Sequence, residues 1–284
     1  MKKSIAILLA TYNGANHIAE QIDSLLSQTL QGWELYVHDD GSKDDTVSIV
    51  KSYADKYEFI HMMDYPSQGG AKNNFFSIFE RVDADIYLFC DQDDVWLPTK
   101  VEKYVNRLDE EEKKHPNAPV IVYSDLFVTD KDLNVVHESF LEYSGIHPQF
   151  INTFAESAAT GFVTGCAMCF NRKAKEIVQY PVDKAQMHDA WITLCVIRDK
   201  GIISFIPEPL ILYRQHFDNT LGARDVKVLT IGYRIKNIRR IISGHLEHYA
   251  MLKALGYGSF AKYVWNKILY RKRINRYRRE LKNK

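Results

Sequence analysis

The sequence predicts an α/β fold: a mainly parallel sheet flanked by helices, with a basic helical extension at its C-terminal end. Three observations carry this. Short apolar and β-branched runs alternate with helical patterns through the first third of the chain, as strand–helix–strand units do. Polar clusters follow directly on three of those runs, where an open parallel sheet keeps its ligand crevice. Charge is also segregated: residues 224–284 hold 17 Lys/Arg against 3 Asp/Glu, a net +14 that leaves −13 for residues 1–223 and +1 overall.

Taken in order, Ile5–Ala10, Leu35–His38, Phe59–Met63 and Ile86–Cys90 read as strands. Between the first two, Ile18, Ile22, Leu25 and Leu26 recur at helical spacing and mark one buried face. Ser42, with Asp45 three residues on, resembles a capping box, so a helix is expected from about Lys43 carrying Val47, Val50 and Tyr53. Thr99–Lys114 reads as a charged surface helix, Val120–Ser124 and Ile202–Ile206 as strands, and Ser139–Ser157 as a long loop able to cover a site. From Val226 onward, aromatic and aliphatic residues interleave with Lys and Arg, the pattern of two or three basic amphipathic helices.

At 284 residues and 46% hydrophobic the chain can bury a substantial core. No apolar run approaches the roughly 18 residues that span a bilayer, and Met1-Lys2-Lys3 with its short apolar sequel reads as a first strand, not a secretory signal. Cys90, Cys166, Cys169 and Cys195 are too few and scattered for a disulfide framework, which favours a cytoplasmic setting. Cys166 and Cys169 form a CxxC without a second pair; beside Phe170 they read as buried strand in preference to a metal or redox site. Neither GxSxG nor GxxxxGK[ST] occurs, which excludes serine-hydrolase and P-loop chemistry.

The polar clusters are Thr11-Tyr12-Asn13, Asp39-Asp40-Gly41-Ser42 and Asp91-Gln92-Asp93-Asp94. Three carboxylates within four residues repel one another unless a cation neutralises them, and hard oxygen ligands suit Mg²⁺ or Mn²⁺ held also by substrate phosphates. An acidic helix cap is the alternative for the same string.

In order and spacing, ATYNG, HDDGSKDDT, GGAKNN and DQDDVW resemble the family 2 glycosyltransferases of the GT-A fold, densely over the first 100 residues and more sparsely to about residue 224. The resemblance implies a GT-A domain over 1–223, with nucleotide-sugar binding in 1–115 and the acceptor side in 116–223, followed by a basic helical tail over 224–284. It implies that Thr11, Tyr12 and Asn13 line the nucleobase and ribose pocket and that Asp39 accepts from a pyrimidine N–H. Lys72 would approach the base or diphosphate with Asn73 and Asn74 in support, and Gln92 would join the donor site. Asp91 and Asp93 match the DxD metal pair. His188-Asp189 with Trp191 corresponds to the family's acidic motif and makes Asp189 the expected catalytic base, while Thr164 and Gly165 match an acceptor-side turn. Tyr213-Arg214-Gln215-His216 resembles an element of bacterial rhamnosyltransferases, so that Arg214 would neutralise the diphosphate and His216 complete the metal shell.

The resemblance, which extends to rhamnan and capsule rhamnosyltransferases, implies an inverting, metal-dependent transfer from dTDP-L-rhamnose, or from a UDP-linked hexose or N-acetylhexosamine, to a glycan or lipid-linked acceptor. A sugar-nucleotide pyrophosphorylase would carry a Gly-rich loop after the first strand, where only ATYNG stands; a non-catalytic nucleotide-sugar-binding protein is disfavoured by the intact Asp93 and Asp189. Arg271, Lys272, Arg273, Arg276, Arg278 and Arg279, just after Tyr263, Trp265, Ile268, Leu269 and Tyr270, suit the anionic inner face of the cell membrane. A solvated bundle is the alternative there, and the acidic front argues against nucleic acid.

Overall fold

Strands buried on both faces need continuous apolar runs, and the runs at the front of the chain become the centre of the sheet. The computed structural model of the chain describes residues 3–151, 153–157, 161, 163–180, 182–215 and 237–282. In the first third lie β1 (Ile5–Thr11), α1 (Ile18–Leu26), β2 (Trp33–Asp39), α2 (Thr46–Ala54), β3 (Ile60–Met62), α3 (Ala71–Arg81), β4 (Ile86–Cys90) and the two-residue β5 (Val95–Trp96). There follow α4 (Lys100–Lys114), β6 (Val120–Thr129), β7 (Val135–His137), α5 (Phe140–Tyr143), α6 (Phe154–Ser157), β8 (Met168–Asn171), α7 (Arg172–Glu176), α8 (His188–Arg198) and β9 (Ile202–Arg214). Two long helices, α9 (Ile238–Ala254) and α10 (Phe260–Lys282), complete the described chain.

The sheet runs β3-β2-β1-β4-β8-β6-β9-β5, with β7 attached to β6. Its first four strands are parallel, as expected. The second half is mixed, because β8 enters antiparallel between β4 and β6, while β6 and β9 are parallel and β5 closes the edge antiparallel to β9. Alternation along β1 divides the core into two layers. Ala6 and Leu8 face one with Phe75, Phe79, Phe89, Phe170 and Trp191; Ile5, Ile7 and Leu9 face the other with Ile18, Ile22, Val101, Tyr104 and Leu108.

Register then aligns the polar strand ends. Thr11 pairs with Asp39 and Leu9 with Cys90, so the segments after β1, β2 and β4 emerge side by side at one edge.

Two expectations change. The helix after β2 begins at Thr46 behind Asp45, which makes no side-chain cap, and the Ser42 hydroxyl donates to Asp39 instead of capping it. The Ser139–Ser157 stretch holds α5, α6 and a 3-10 turn at Pro148–Phe150; the Asp125 carboxylate fastens its start by accepting from the Leu141 N–H (3.2 Å) and the Ser139 hydroxyl. The expected helical extension is present as α9 and α10, and it packs on the domain: Met251, Leu252, Leu255, Tyr257 and Tyr263 are buried in the same core layer as Trp191 and Phe79. None of the described helices is long and apolar enough to cross a membrane.

Asn171 joins β8, β6 and α7. Its Oδ1 accepts from the N–H groups of Val120 (3.0 Å) and Ala174 (2.9 Å), and its Nδ2 donates to Ala118 O (3.0 Å) and Glu112 Oε1 (2.8 Å). Asn171→Ala leaves two buried N–H groups without an acceptor and should lower unfolding free energy by roughly 2–4 kcal/mol, read from urea denaturation; a loss below about 1 kcal/mol would show that the amide is not the hub of that junction.

Candidate active site

The aligned strand ends are tied together by side chains that accept from backbone. Asp39 receives four donors: the Thr11 hydroxyl (2.9 Å) and Ser42 hydroxyl (2.5 Å) on Oδ1, the Gly41 N–H (3.0 Å) and Ser42 N–H (2.7 Å) on Oδ2. A carboxylate has about four acceptor positions, so Asp39 organises the loop, and a pyrimidine N–H would have to displace one of these donors. Asp40 does the same for residues 67–70, accepting from the Ser67 hydroxyl and the N–H groups of Gln68, Gly69 and Gly70. Burial raises its carboxyl, but these donors, Gly70 first, outweigh that and hold it below the usual range. The turn they clasp requires glycine, with φ of 78° at Gly69 and 104° at Gly70, and it launches α3. There Lys72 donates to Ala185 O (3.1 Å) and the Asn73 amide to Gln68 O (3.2 Å), while Asn74 is buried against His38.

Tyr12, Asn13 and Gln92 form a second tie. The Tyr12 N–H donates to Gln92 Oε1 and Gln92 Nε2 donates back to Tyr12 O, both at 2.9 Å, so the carboxamide pairs with the peptide as a neighbouring strand would. Gly14 leaves the room for it, since a Cβ there would stand 2.3 Å from Gln92 Oε1. Asn13, in the left-handed region at φ 47°, joins Ser42 and Lys43 through its N–H and Oδ1. The Tyr12 side chain remains 55% exposed above the cleft.

In the acidic loop the structure groups Asp91, Asp94 and Cys166, whose ligand atoms all lie within 4.8 Å of one another. This differs from the expected Asp91–Asp93 pair, because the short β5 turns the chain so that Asp94 points inward and is fully buried. Asp94 Oδ1 accepts from the Arg214 N–H (3.1 Å), and Oδ2 has no partner among the described residues. Burial raises the carboxyls of both Asp91 and Asp94; Asp93 adds to each, and Asp189 to Asp91.

Arg214 does not face the cleft as expected. It is 4% exposed and braces the loop from behind, donating to Asp93 O (2.8 Å), Lys131 O (2.7 Å) and Glu20. His216 lies outside the described residues. Nothing in the sequence pattern marks Lys100, yet it is fully buried beneath this loop, with its amine on Cys166 O (2.8 Å) and over the Trp96 ring. Burial lowers it to about 7, against the pull of Cys90, Cys166 and Asp94.

Asp189 occupies the first turn of α8. Its Oδ2 accepts from the Gly165 N–H (2.9 Å) and its Oδ1 from the Ala190 N–H (2.6 Å), but burial dominates and pushes its carboxyl up to about 6. The expected acceptor-side neighbours serve packing. His188 sits in an aromatic cage, 4.1 Å from the Phe75 ring and 4.5 Å from Phe89, and burial drops its imidazole to about 3. Gly165 is small for the sake of that ring, since its Cβ would lie 2.6 Å from His188 Nε2. Trp191 is buried, with Nε1 donating to Gln179 O (3.0 Å), and Thr164 precedes the turn at Gly165–Ala167 without a side-chain cap.

A strand-end cleft with an acidic loop and a capped carboxylate opposite it has a counterpart among known proteins: the model of glycosyl transferase family 2 matches residues 6–178. The chain belongs to that family. The dTDP-rhamnosyl transferase RfbG of Shigella flexneri is 27% identical over 76% of this chain and 74% of its own length. An uncharacterised glycosyltransferase of Rickettsia prowazekii is 36% identical over 42% of this chain and 35% of its own, and the chain spans about a third of the length of the Rickettsia relatives it matches. Among solved structures, the mannosyltransferase PcManGT of Pyrobaculum calidifontis, in complex with GDP-Man and Mn²⁺, superposes with a TM-score of 0.58 at 17% identity, covering 96% of this chain and 70% of that one. This likeness establishes the GT-A fold of the family 2 chain.

The Gln92 tie is testable in isolation. Gly14→Ala and Gln92→Ala should each destabilise the family 2 domain by about 1–3 kcal/mol. The double variant should lose clearly less than their sum, because the methyl group introduced at position 14 then fills space that the amide vacates. Strict additivity in urea denaturation would mean that the two positions do not share the contact.

Proposed function

We propose that the chain transfers L-rhamnose from dTDP-L-rhamnose, with inversion, to a hydroxyl of a glycan or lipid-linked saccharide at the cytoplasmic face of the cell membrane. The observation that carries the transfer reading is Asp189: a carboxylate held by two backbone N–H groups, close enough to Asp91 to raise it, and itself raised to about 6. The similarity to RfbG over three quarters of both chains supports rhamnose as the sugar.

Asp189 is poised as a general base because its carboxylate is fixed and its proton affinity lies nearer neutrality than that of a solvated aspartate. It takes the acceptor's hydroxyl proton as that oxygen bonds to the anomeric carbon and the bond from that carbon to the diphosphate breaks, both electrons leaving with the nucleoside diphosphate. The donor set of the acidic loop fits Mg²⁺ or Mn²⁺: hard carboxylate oxygens from Asp91 and Asp94, one of them without a partner among the described residues, beside a Cys166 thiol that burial keeps protonated. A divalent cation held there would offset the negative charge of the departing diphosphate. Asp93 is the remaining carboxylate of the loop that can turn to the cation or to the ribose, and Lys72, at the start of α3, supplies positive charge to the donor side. Arg214 and Gln92 contribute by holding the loop in place.

Two measurements test this reading. Asp189→Asn should retain donor affinity and lower the transfer rate by about 10²–10⁴-fold; near-normal transfer would remove Asp189 as the base. The base must be unprotonated, so wild-type kcat/KM should rise with pH up to about 6 and level off above it. Stability carries the opposite sign. A carboxyl raised in the folded state favours folding below its unfolded value, and that advantage is lost as pH rises through about 6. Wild type should therefore lose stability relative to Asp189→Asn across that interval.

A thermal-shift panel of nucleotide sugars, with and without Mn²⁺, addresses donor and metal together. dTDP-L-rhamnose with Mn²⁺ should raise the melting temperature by several degrees, and chelation should abolish most of the shift. Stabilisation by a UDP-sugar alone would reassign the donor, and no response to any nucleotide sugar would reject the transfer reading.

A further inference from the structure

Helix α10 changes character along one of its faces. Phe260, Val264, Arg271 and Arg278 are separated by 4, 7 and 7 residues and so return to one stripe of the helix. Its first half presents apolar side chains to solvent, with Phe260, Val264 and Ile268 43%, 39% and 43% exposed, and Lys267 lines the groove between them. Its second half is cationic, and over Phe260–Lys282 nine Lys/Arg face a single acidic residue, Glu280. This stripe lines a groove of about 530 Å³, whose opposite wall includes His245 of α9 and Gly145 after α5. Beside it, Ile238, Ile242 and Leu246 repeat every fourth residue along α9, each about half exposed. Apolar surface of this extent on the outside of a folded chain marks a contact with something else.

The polarity gradient identifies the occupant. From Phe260 to Arg278 the helix rises about 27 Å, the scale of one lipid acyl chain with its headgroup. A second copy paired in parallel along this face would set Arg271 and Arg278 against like charges, which disfavours that mode of self-association. A phosphate diester carrying a hydrocarbon chain satisfies both halves at once. We propose that this groove seats an anionic membrane lipid, with its acyl chain along Phe260, Val264 and Ile268 and its phosphate at Arg271 and Arg278. The proposal deepens the membrane setting given above and rests on it for location alone, since lipid binding is measured without turnover. Because Tyr257 and Tyr263 belong to the core, the helix is tested by substitution at its exposed positions and not by truncation.

The experiment is co-sedimentation of the full chain with vesicles of phosphatidylcholine alone or mixed with phosphatidylglycerol. Wild type should partition onto the mixed vesicles and much less onto phosphatidylcholine. Arg271→Glu/Arg278→Glu and, separately, Val264→Asp/Ile268→Asp should each weaken partitioning by about tenfold or more. Lys113→Glu/Lys114→Glu, the same charge change on the exposed end of α4, should stay within about twofold of wild type. Absence of wild-type binding, unchanged binding in either groove variant, or an equal loss in the α4 variant would each overturn the proposal. So would a concentration-dependent dimer that Val264→Asp/Ile268→Asp dissolves, which would give the face to a second copy. Transfer assayed without vesicles on a soluble acceptor should be unaffected in the groove variants; a wild-type chain that transfers but does not bind the mixed vesicles overturns this inference alone, and one that binds them but does not transfer overturns only the catalytic reading.

Discussion

A carboxylate is costly to take out of water, and the loop after β4 withdraws one of its three entirely. Burial raises Asp91 and Asp94 together, and each raises the demand for positive charge nearby. The protein meets that demand incompletely. Arg214 offers Asp94 a backbone N–H while its guanidinium is engaged elsewhere, and Lys100 reaches the Cys166 carbonyl from below with an amine that burial has weakened. What remains is a pair of carboxyls that burial holds toward the protonated form, and a divalent cation would displace those protons and use the freed oxygens as ligands.

The rest of the architecture converts strand register into alignment of loops. Parallel pairing of β1 with β2 and β4 sets three polar segments abreast, and short side-chain bonds then fasten each to the next: Thr11 to Asp39, Asn13 to Ser42 and Lys43, Gln92 to Tyr12. The opposite wall comes from α8. Its register is held by the packing of His188 against Phe75 and Phe89 and of Trp191 within the same layer, and Asp189 beside them lies close enough to Asp91 to raise it. Scaffold and chemistry share residues throughout, so many positions near the cleft act through their neighbours.

How much of this is legible in the sequence depends on distance along the chain. The apolar runs of β1, β2 and β4 read directly, because strands buried on both faces have no other composition available. The family's ordered motifs likewise point to the correct edge of the sheet. Direction is not legible: Met168-Cys169-Phe170 carries no sign of running antiparallel between β4 and β6. Nor is burial of a charged side chain. Lys100 opens a helix dense in Lys and Glu, and only the tertiary position of β5 and the Cys166 turn places it inside. Gln92, Arg214, His188 and Trp191 are recognised as belonging to the site region, yet the contacts they make reach from 12 to 121 residues along the chain, which local pattern does not encode. Ser42 shows the converse, since a local capping pattern gives way to a hydroxyl that donates to Asp39 and accepts from the Asn13 N–H.

The Arg214 brace has a consequence for how the protein is made. It joins residues 120 positions apart, Asp94 on an early loop and Arg214 at the last strand of the sheet. At ribosomal speeds of about 5–20 residues per second, the acidic loop leaves the exit tunnel roughly ten seconds before its clasp is synthesised. Throughout that interval the carboxylates remain hydrated and mutually repelling, and the edge at β9 is open. The nascent chain therefore passes through a stage in which its first strands can assemble while the acidic loop still lacks its brace.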